Sequence, residues 1–172
     1  MKYFYSFFLA IFIPYLATAQ QNISYSVNPP SFDETDAITI TFTVNETDFG
    51  VASSHALYLW AWSVDSIGNQ ADCPTNGSWT SSNPINKLTY VSSSGSTGTY
   101  TYTMNTVKSF YGNRPNPLAK IGFLVKTING SAQSQDILLN VGKFQFNLSY
   151  SLLGCINVVS SGTCRLISSI TC

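Results

Sequence analysis

The strongest constraint in this sequence is a two-residue alternation of apolar and polar side chains, which begins after Gln20. Its clearest stretch places Ile38, Ile40, Phe42 and Val44 between three threonines. Successive side chains of a β-strand point to opposite faces of the sheet. The alternation therefore predicts a strand with one buried face and one solvated face.

Six further segments carry strand signals, namely β-branched and aromatic residues bounded by turn residues. They cover residues 24–27, 56–64, 87–91, 99–104, 120–127 and 135–141. Segments 56–64 and 120–126 are apolar on both faces, so we expect both to be central strands. About seven short strands with unequal loops predict an all-β fold, an antiparallel immunoglobulin-like β-sandwich. An up-and-down barrel is the alternative, which the strand count and the loop lengths disfavour.

Two local signals supplement this strand pattern. Asn129-Gly130 follows one apolar segment and precedes another, which is a hairpin signal because both residues tolerate a positive φ. Residues 107–111 are the one stretch that suits a helical turn.

The N-terminal segment 1–19 has the features of a secretory signal peptide. A basic start precedes an apolar run over residues 4–16, and Ala17-Thr18-Ala19 forms a small-x-small cleavage site. Ser6 and Pro14 interrupt the apolar run, which is shorter than the ~20 residues of a membrane-spanning helix. We therefore expect secretion, or retention at the cell surface or in the periplasm, with no membrane span in the mature chain.

Charge and motif content argue against several classes of function. The chain has 8 Lys+Arg and 8 Asp+Glu, whereas nucleic-acid binding requires surplus cations, so we expect no nucleic-acid partner. There is one histidine and no nucleophile elbow, zinc-protease motif or phosphate-binding loop. A glycosidase pair of carboxylates is the enzymatic alternative, but most acidic residues fall in turns. We predict a non-catalytic protein without a cofactor.

Acidic residues and cysteines are the candidates for metal binding, and the cysteines are also the candidates for disulfides. Residues 33–36, with three acidic side chains, resemble a calcium turn only loosely, and a solvated turn is the favoured interpretation. The cysteines show no CxxC spacing and His55 is not near any of them, so no metal site is expected. After export, the four cysteines allow three pairings among which the sequence does not choose. They are Cys73, Cys155, Cys164 and Cys172.

Aromatic residues supply the most informative candidates for binding. Tyr58, Trp60 and Trp62 lie two residues apart and share one strand face, while Trp79 falls in a polar loop. Fixed, exposed rings can stack on the faces of sugars. Immunoglobulin-like cores normally bury one tryptophan on a central strand, so we expect one of Trp60 and Trp62 in the core. Trp79 is then the better ligand candidate.

A series of segments in order resembles a known family. They read YLWAWSVD, NGSW, KLTYV, GTYTYTM, SFYG, IGFLVKTINGS and QDILLNVG. Together, over residues 31–146, they resemble the accessory β-sandwich domains of secreted Bacteroidetes proteins, which precede α-amylase-type glycosidase domains or occur in starch-utilisation proteins.

The resemblance implies a carbohydrate-binding-module-like domain whose ligand is a polysaccharide or oligosaccharide, with α-glucan first. The ligand-binding residues implied are Trp79, Trp60, Trp62, Tyr58 and Lys126. A structural spacer, or a domain that docks to another surface protein, is the alternative.

The C-terminal end departs from the family pattern. We assign residues 20–147 to the sandwich and residues 148–172 to a cysteine-containing tail. The tail is interpreted either as the remnant of a truncated larger protein or as a disulfide-stapled strand, and both interpretations stay open.

Overall fold

The computed structural model describes residues 20–142 and the backbone of two short strands, Phe146–Leu148 and Val158–Ser160. The signal segment 1–19 lies outside the described residues, as does the rest of the tail 148–172 with its three cysteines.

Two four-stranded sheets form the body of the protein, and all their strand pairs are antiparallel. The first sheet has the order β1 (Ser24–Asn28), β2 (Ile38–Asn45), β8 (Thr97–Met104), β7 (Thr89–Ser94). The second has the order β10 (Ile137–Asn140), β9 (Leu118–Lys126), β3 (Tyr58–Asp65), β4 (Gln70–Asp72). This order is that of an immunoglobulin-like sandwich, and it confirms the predicted fold class.

Smaller elements fill the connections. They are the hairpin of β5 (Gly77–Ser78) and β6 (Ser81–Ser82), a 3-10 turn (Pro84–Asn86) and the helix α1 (Val107–Phe110). Strands β11 (Phe146–Leu148) and β12 (Val158–Ser160) follow β10 in the chain and pair with each other. Each of the predicted strands is present, and α1 matches the predicted helical turn. Strands β4, β5 and β6 were not predicted because two or three residues are too few to show a period.

The core lies between the two sheets. The alternating residues of β2 are buried, and Phe42 meets Phe123 of the opposite sheet edge-on, with 5.9 Å between ring centroids. Strand β3 contributes Leu59 and Ala61, both fully buried. Burial of such side chains stabilises a fold by ~1.5–3 kcal/mol each for the larger ones, and the alternation places them on one face.

Buried asparagines complete one edge of β3. Strand β4 pairs only with Trp62–Val64 of β3, and Tyr58 pairs with Lys87, which leaves residues 59–61 without a strand partner on that side. The Asn76 side chain accepts from Ala61 N at 3.0 Å and donates to Ala61 O at 2.8 Å, and Asn86 Nδ2 donates to Leu59 O at 3.2 Å. Buried backbone groups need such partners, so the two amides take the place of a neighbouring strand.

Tyr111 ties the helix α1 to strand β9. The helix begins after Thr106, whose hydroxyl accepts a hydrogen bond from Ser109 N. Tyr111, which follows the helix, is buried and donates its hydroxyl proton to Gly122 O at 3.2 Å. This bond holds the middle of β9, where the candidate site lies.

In the part of the chain that the structure describes, no helix has the length and apolarity needed to span a membrane.

Candidate functional site

The aromatic residues of β3 lie on the outer face, which we define as the face of the second sheet turned away from the core. Tyr58, Trp60 and Trp62 alternate along β3 with the core residues Leu59 and Ala61. Neither indole lies between the sheets, so the expectation that one of them is a core tryptophan was wrong. The sequence was ambiguous because this segment is apolar on both faces.

Trp62 lies across the backbone of the neighbouring strand. Its cross-strand partner is Gly122, and a Cβ at that glycine would stand 2.1 Å from Cε2 of the indole. Because Gly122 has no side chain, the indole of Trp62 can pack flat against the backbone of β9. Trp62 is half-buried in this position.

Trp79 lies at the other end of the outer face. It follows β5 at the tip of the β5–β6 hairpin, and 38% of its surface is exposed. Its indole occupies the space that a Cβ of Gly130 would take, and its ring centroid is 5.1 Å from that of Trp60 in an edge-on arrangement. Trp79 and Trp60 thus form one aromatic pair beside Trp62.

Lys126 lies beneath this aromatic pair with no exposed surface. Its ammonium donates to Trp79 O at 2.9 Å, Ser82 Oγ at 2.7 Å and Thr127 O at 3.1 Å, with a longer bond to Ile128 O at 3.3 Å. It also lies 5.0 Å from the Trp79 ring centroid and 5.7 Å from that of Trp60, within cation–π range. Burial lowers the pKa of Lys126 to about 8.

The five candidate residues therefore form one cluster with two parts. Trp60, Trp62 and Trp79 reach the surface, whereas Tyr58 is 7% exposed and Lys126 is fully buried. Tyr58 is the cross-strand partner of Lys126. We assign the buried pair to the support of the surface indoles, because Lys126 has no exposed surface and Tyr58 has little.

Polar side chains that the sequence analysis did not single out flank Trp62. Asp72 is its cross-strand partner on β4. The neighbouring row, which is in register with Val64 two residues further along β3, contains Gln70, Lys120 and Asn140. All four are exposed. They were missed because only the register of four strands brings them together, and β4 has no sequence signal of its own.

A second polar cluster lies at the end of β2, away from the outer face. The carboxylate of Glu46, 2% exposed, accepts the hydroxyl proton of Tyr100, and His55 Nδ1 lies 2.6 Å from the same oxygen. The His55 ring stacks on Tyr90 with 4.1 Å between centroids. Burial raises the pKa of Tyr100, which keeps its hydroxyl protonated as a donor.

Two further acidic side chains, Glu34 and Asp65, hold loops in place. Glu34 pairs with Lys108 at 2.7 Å and accepts from Leu118 N, and the hydrogen bond from Lys108 lowers the pKa of Glu34. Asp65 accepts from Asn116 Nδ2 and from two backbone N–H groups, and the Asn116 bond lowers its pKa. Within the described residues, no three His, Cys, Asp or Glu side chains are grouped to hold a metal ion.

Comparison of the chain with models of known protein families and with curated proteins finds no match.

Proposed function

We propose that this protein is a secreted, non-catalytic carbohydrate-binding domain of the kind that accompanies α-amylase-type enzymes, with starch-like α-glucans as its ligands. The observation that carries the proposal is the outer face, where two indoles of β3 and one of the β5–β6 hairpin reach the surface side by side. The resemblance of residues 31–146 to accessory domains of secreted Bacteroidetes proteins supports the choice of ligand.

The arrangement suits sugars for physical reasons. The C–H groups of a pyranose ring pack on an indole face, while its hydroxyls remain free to bond with polar side chains beside it. Trp62 and Trp79 are each seated on a glycine, so little side-chain entropy is lost when a ligand arrives.

Retention on insoluble starch tests the proposal. The exported protein is incubated with starch, cellulose and chitin, and the bound fraction is measured after centrifugation. We expect selective retention on starch, which Trp62→Ala and Trp79→Ala each weaken. Tyr90→Ala is the matched control, because Tyr90 is as exposed as Trp79, at 38%, but lies on β7 of the other sheet. A folded protein retained on none of the three polysaccharides would contradict the proposal.

Export itself has a direct readout. Cleavage after Ala19 would leave Gln20 as the N-terminal residue of the exported protein. Mass spectrometry of the intact protein would measure this, and an exported protein that still begins with Met1 would contradict the signal-peptide interpretation.

A docking domain is the second candidate, and one feature favours it. Strand β7 pairs with β8 only from Thr97 to Thr101, although β8 continues to Met104. A groove of about 460 Å³ lies at this edge, between Tyr102, Phe110 and Lys87. Exposed strand edges accept extended peptides. Two results together would favour this function. The protein would not be retained on starch, and it would capture a surface protein that the Phe110→Ala variant does not capture.

A further inference from the structure

Two rows of side chains cross the outer face at right angles to the strands. In the first row, Trp62 on β3 has Asp72 on one side and Gly122 on the other. In the second row, Val64 stands between Gln70 and Lys120, and Asn140 stands beyond Lys120. Residues directly opposite one another in an antiparallel sheet share a face, so each row is continuous on the surface.

We propose that these rows bind an internal segment of a polysaccharide chain that lies across the strands. One sugar ring stacks on Trp62, and the hydroxyls along one edge of the chain bond with Gln70, Lys120 and Asn140. This inference rests on the proposed function and adds to it the direction of the chain and the residues that read its hydroxyls.

The dimensions of a sheet support this direction. Strands stand ~4.8 Å apart, so the path from β4 to β10 is ~14 Å, the length of a few sugar units. Residues two apart on one strand are separated by ~7 Å, which is the spacing of the two rows. The edge of a ring on Trp62 then lies within reach of the second row, directly or through one water molecule.

The polar groups of the second row are free to bind. Gln70, Lys120 and Asn140 are exposed, and their side chains make no hydrogen bond or ion pair with other described residues. In contrast, Lys108 is paired with Glu34, and the ammonium of Lys126 already donates hydrogen bonds to groups of the protein. A ligand hydroxyl in the second row therefore replaces water and displaces no contact with another described residue.

The surroundings of the rows favour a chain across the strands over a chain along them. The β5–β6 hairpin, with Trp79 at its tip, covers the end of the outer face above Lys126. Both ends of the first row are open, at the exposed Asp72 and at Leu138, which is 50% exposed. A chain entering at one side can leave at the other, so recognition does not require a chain end.

Calorimetric titration with a linear maltooligosaccharide and with a cyclodextrin, which has no chain ends, tests the inference. We expect both to bind, and we expect Gln70→Ala, Lys120→Ala and Asn140→Ala each to weaken binding about five- to tenfold, the effect of one hydrogen bond. Lys87→Ala is the matched control, because Lys87 is also an exposed lysine but belongs to neither row and lines the groove near β7. All four side chains are exposed, so circular dichroism should show unchanged folding.

The outcomes separate this inference from the proposed function. Binding that is lost in Trp62→Ala but unchanged in all three second-row variants would overturn the inference and leave the proposed function standing. Binding of the linear ligand without binding of the cyclodextrin would also overturn it, since a chain end would then be required. Absence of binding to either ligand and to starch would overturn both.

Discussion

Two glycines account for the positions of two of the surface indoles. Gly122 leaves room for Trp62 on strand β9, and Gly130 leaves room for Trp79 in the turn that follows. Gly130 also has a φ of +71°, a conformation that side chains with a Cβ rarely adopt. The positions of these indoles thus depend on the absence of a side chain at the neighbouring glycines. The aromatic residues of the sequence alone do not show this.

Substitution of Gly122 should move one indole and little else. Gly122 has no positive φ, so alanine fits the backbone, but its Cβ would stand 2.1 Å from Trp62 Cε2. We expect Gly122→Ala to lift the indole, to change the near-ultraviolet circular dichroism, and to destabilise the fold by ~1–3 kcal/mol. Polysaccharide binding equal to that of the unaltered protein would contradict the assignment of Trp62 to the binding surface.

The hydrogen bond from Tyr100 to the buried carboxylate of Glu46 should stabilise the fold. Tyr100→Phe removes the hydroxyl donor from a carboxylate that is 2% exposed. Loss of the donor to a buried acceptor destabilises a fold by ~1–3 kcal/mol. We expect a free energy of unfolding in urea that is lower by this amount.

Tyr102→Phe is the control for this variant. The Tyr102 hydroxyl is also on β8, but its bonds to Ile85 O and Asn86 Oδ1 are long, at 3.3 and 3.4 Å. We expect a loss below ~1 kcal/mol for the control. Equal losses of unfolding free energy in the two variants would show that the hydrogen bond from Tyr100 to Glu46 does not stabilise the fold.

At the scale of elements, β3 depends on side chains for part of its edge. Asn76 and Asn86 occupy the place of a strand that β4 is too short to provide. The chain between β4 and β7 therefore contains few regular elements but still completes the hydrogen bonds of the central strand.

Loss of Asn76 should consequently destabilise β3. Asn76→Ala removes the acceptor for Ala61 N and one of the donors to Ala61 O. The buried N–H would remain without a partner, and we expect a loss of ~1–3 kcal/mol in the free energy of unfolding. Asn105→Ala is the control at an exposed position, with an expected change within ~0.5 kcal/mol. A change in Asn76→Ala as small as that in the control would refute the role of this amide.

Across the whole molecule, Lys126 connects three separate segments. Its ammonium bonds with the β5–β6 hairpin through Trp79 and Ser82, and with the turn after β9 through Thr127 and Ile128. It also lies between the indoles of Trp60 and Trp79. One buried cation thus sets the position of the hairpin relative to the sheet.

The stability of the protein should reflect the titration of this cation. Burial lowers the pKa of Lys126 to about 8 in the folded protein, whereas an unfolded lysine titrates near ~10.4. Between these values the unfolded chain binds more protons, so stability rises with pH. We expect unfolding free energies of the unaltered protein to rise relative to those of Lys126→Met between pH 8 and 10, by at most ~1.4 kcal/mol per pH unit. Parallel stability curves would show that Lys126 titrates normally.

The sequence by itself determined the all-β class and the seven longer strands. Alternation over five or more residues has one structural explanation, a strand with two different faces, and residues 38–44 show it most clearly. The helical turn at residues 107–111 and the turn at Asn129-Gly130 also have local causes, in capping and in positive φ.

Only the tertiary structure decided which aromatic residues face outward and what surrounds them. Both faces of β3 are apolar in sequence, so periodicity alone did not distinguish Trp60 and Trp62 from Leu59 and Ala61. The row of Gln70, Lys120 and Asn140 depends on the register of strands that are distant in the chain. Register follows from how the two sheets bury their inner faces together, and no local pattern contains that information.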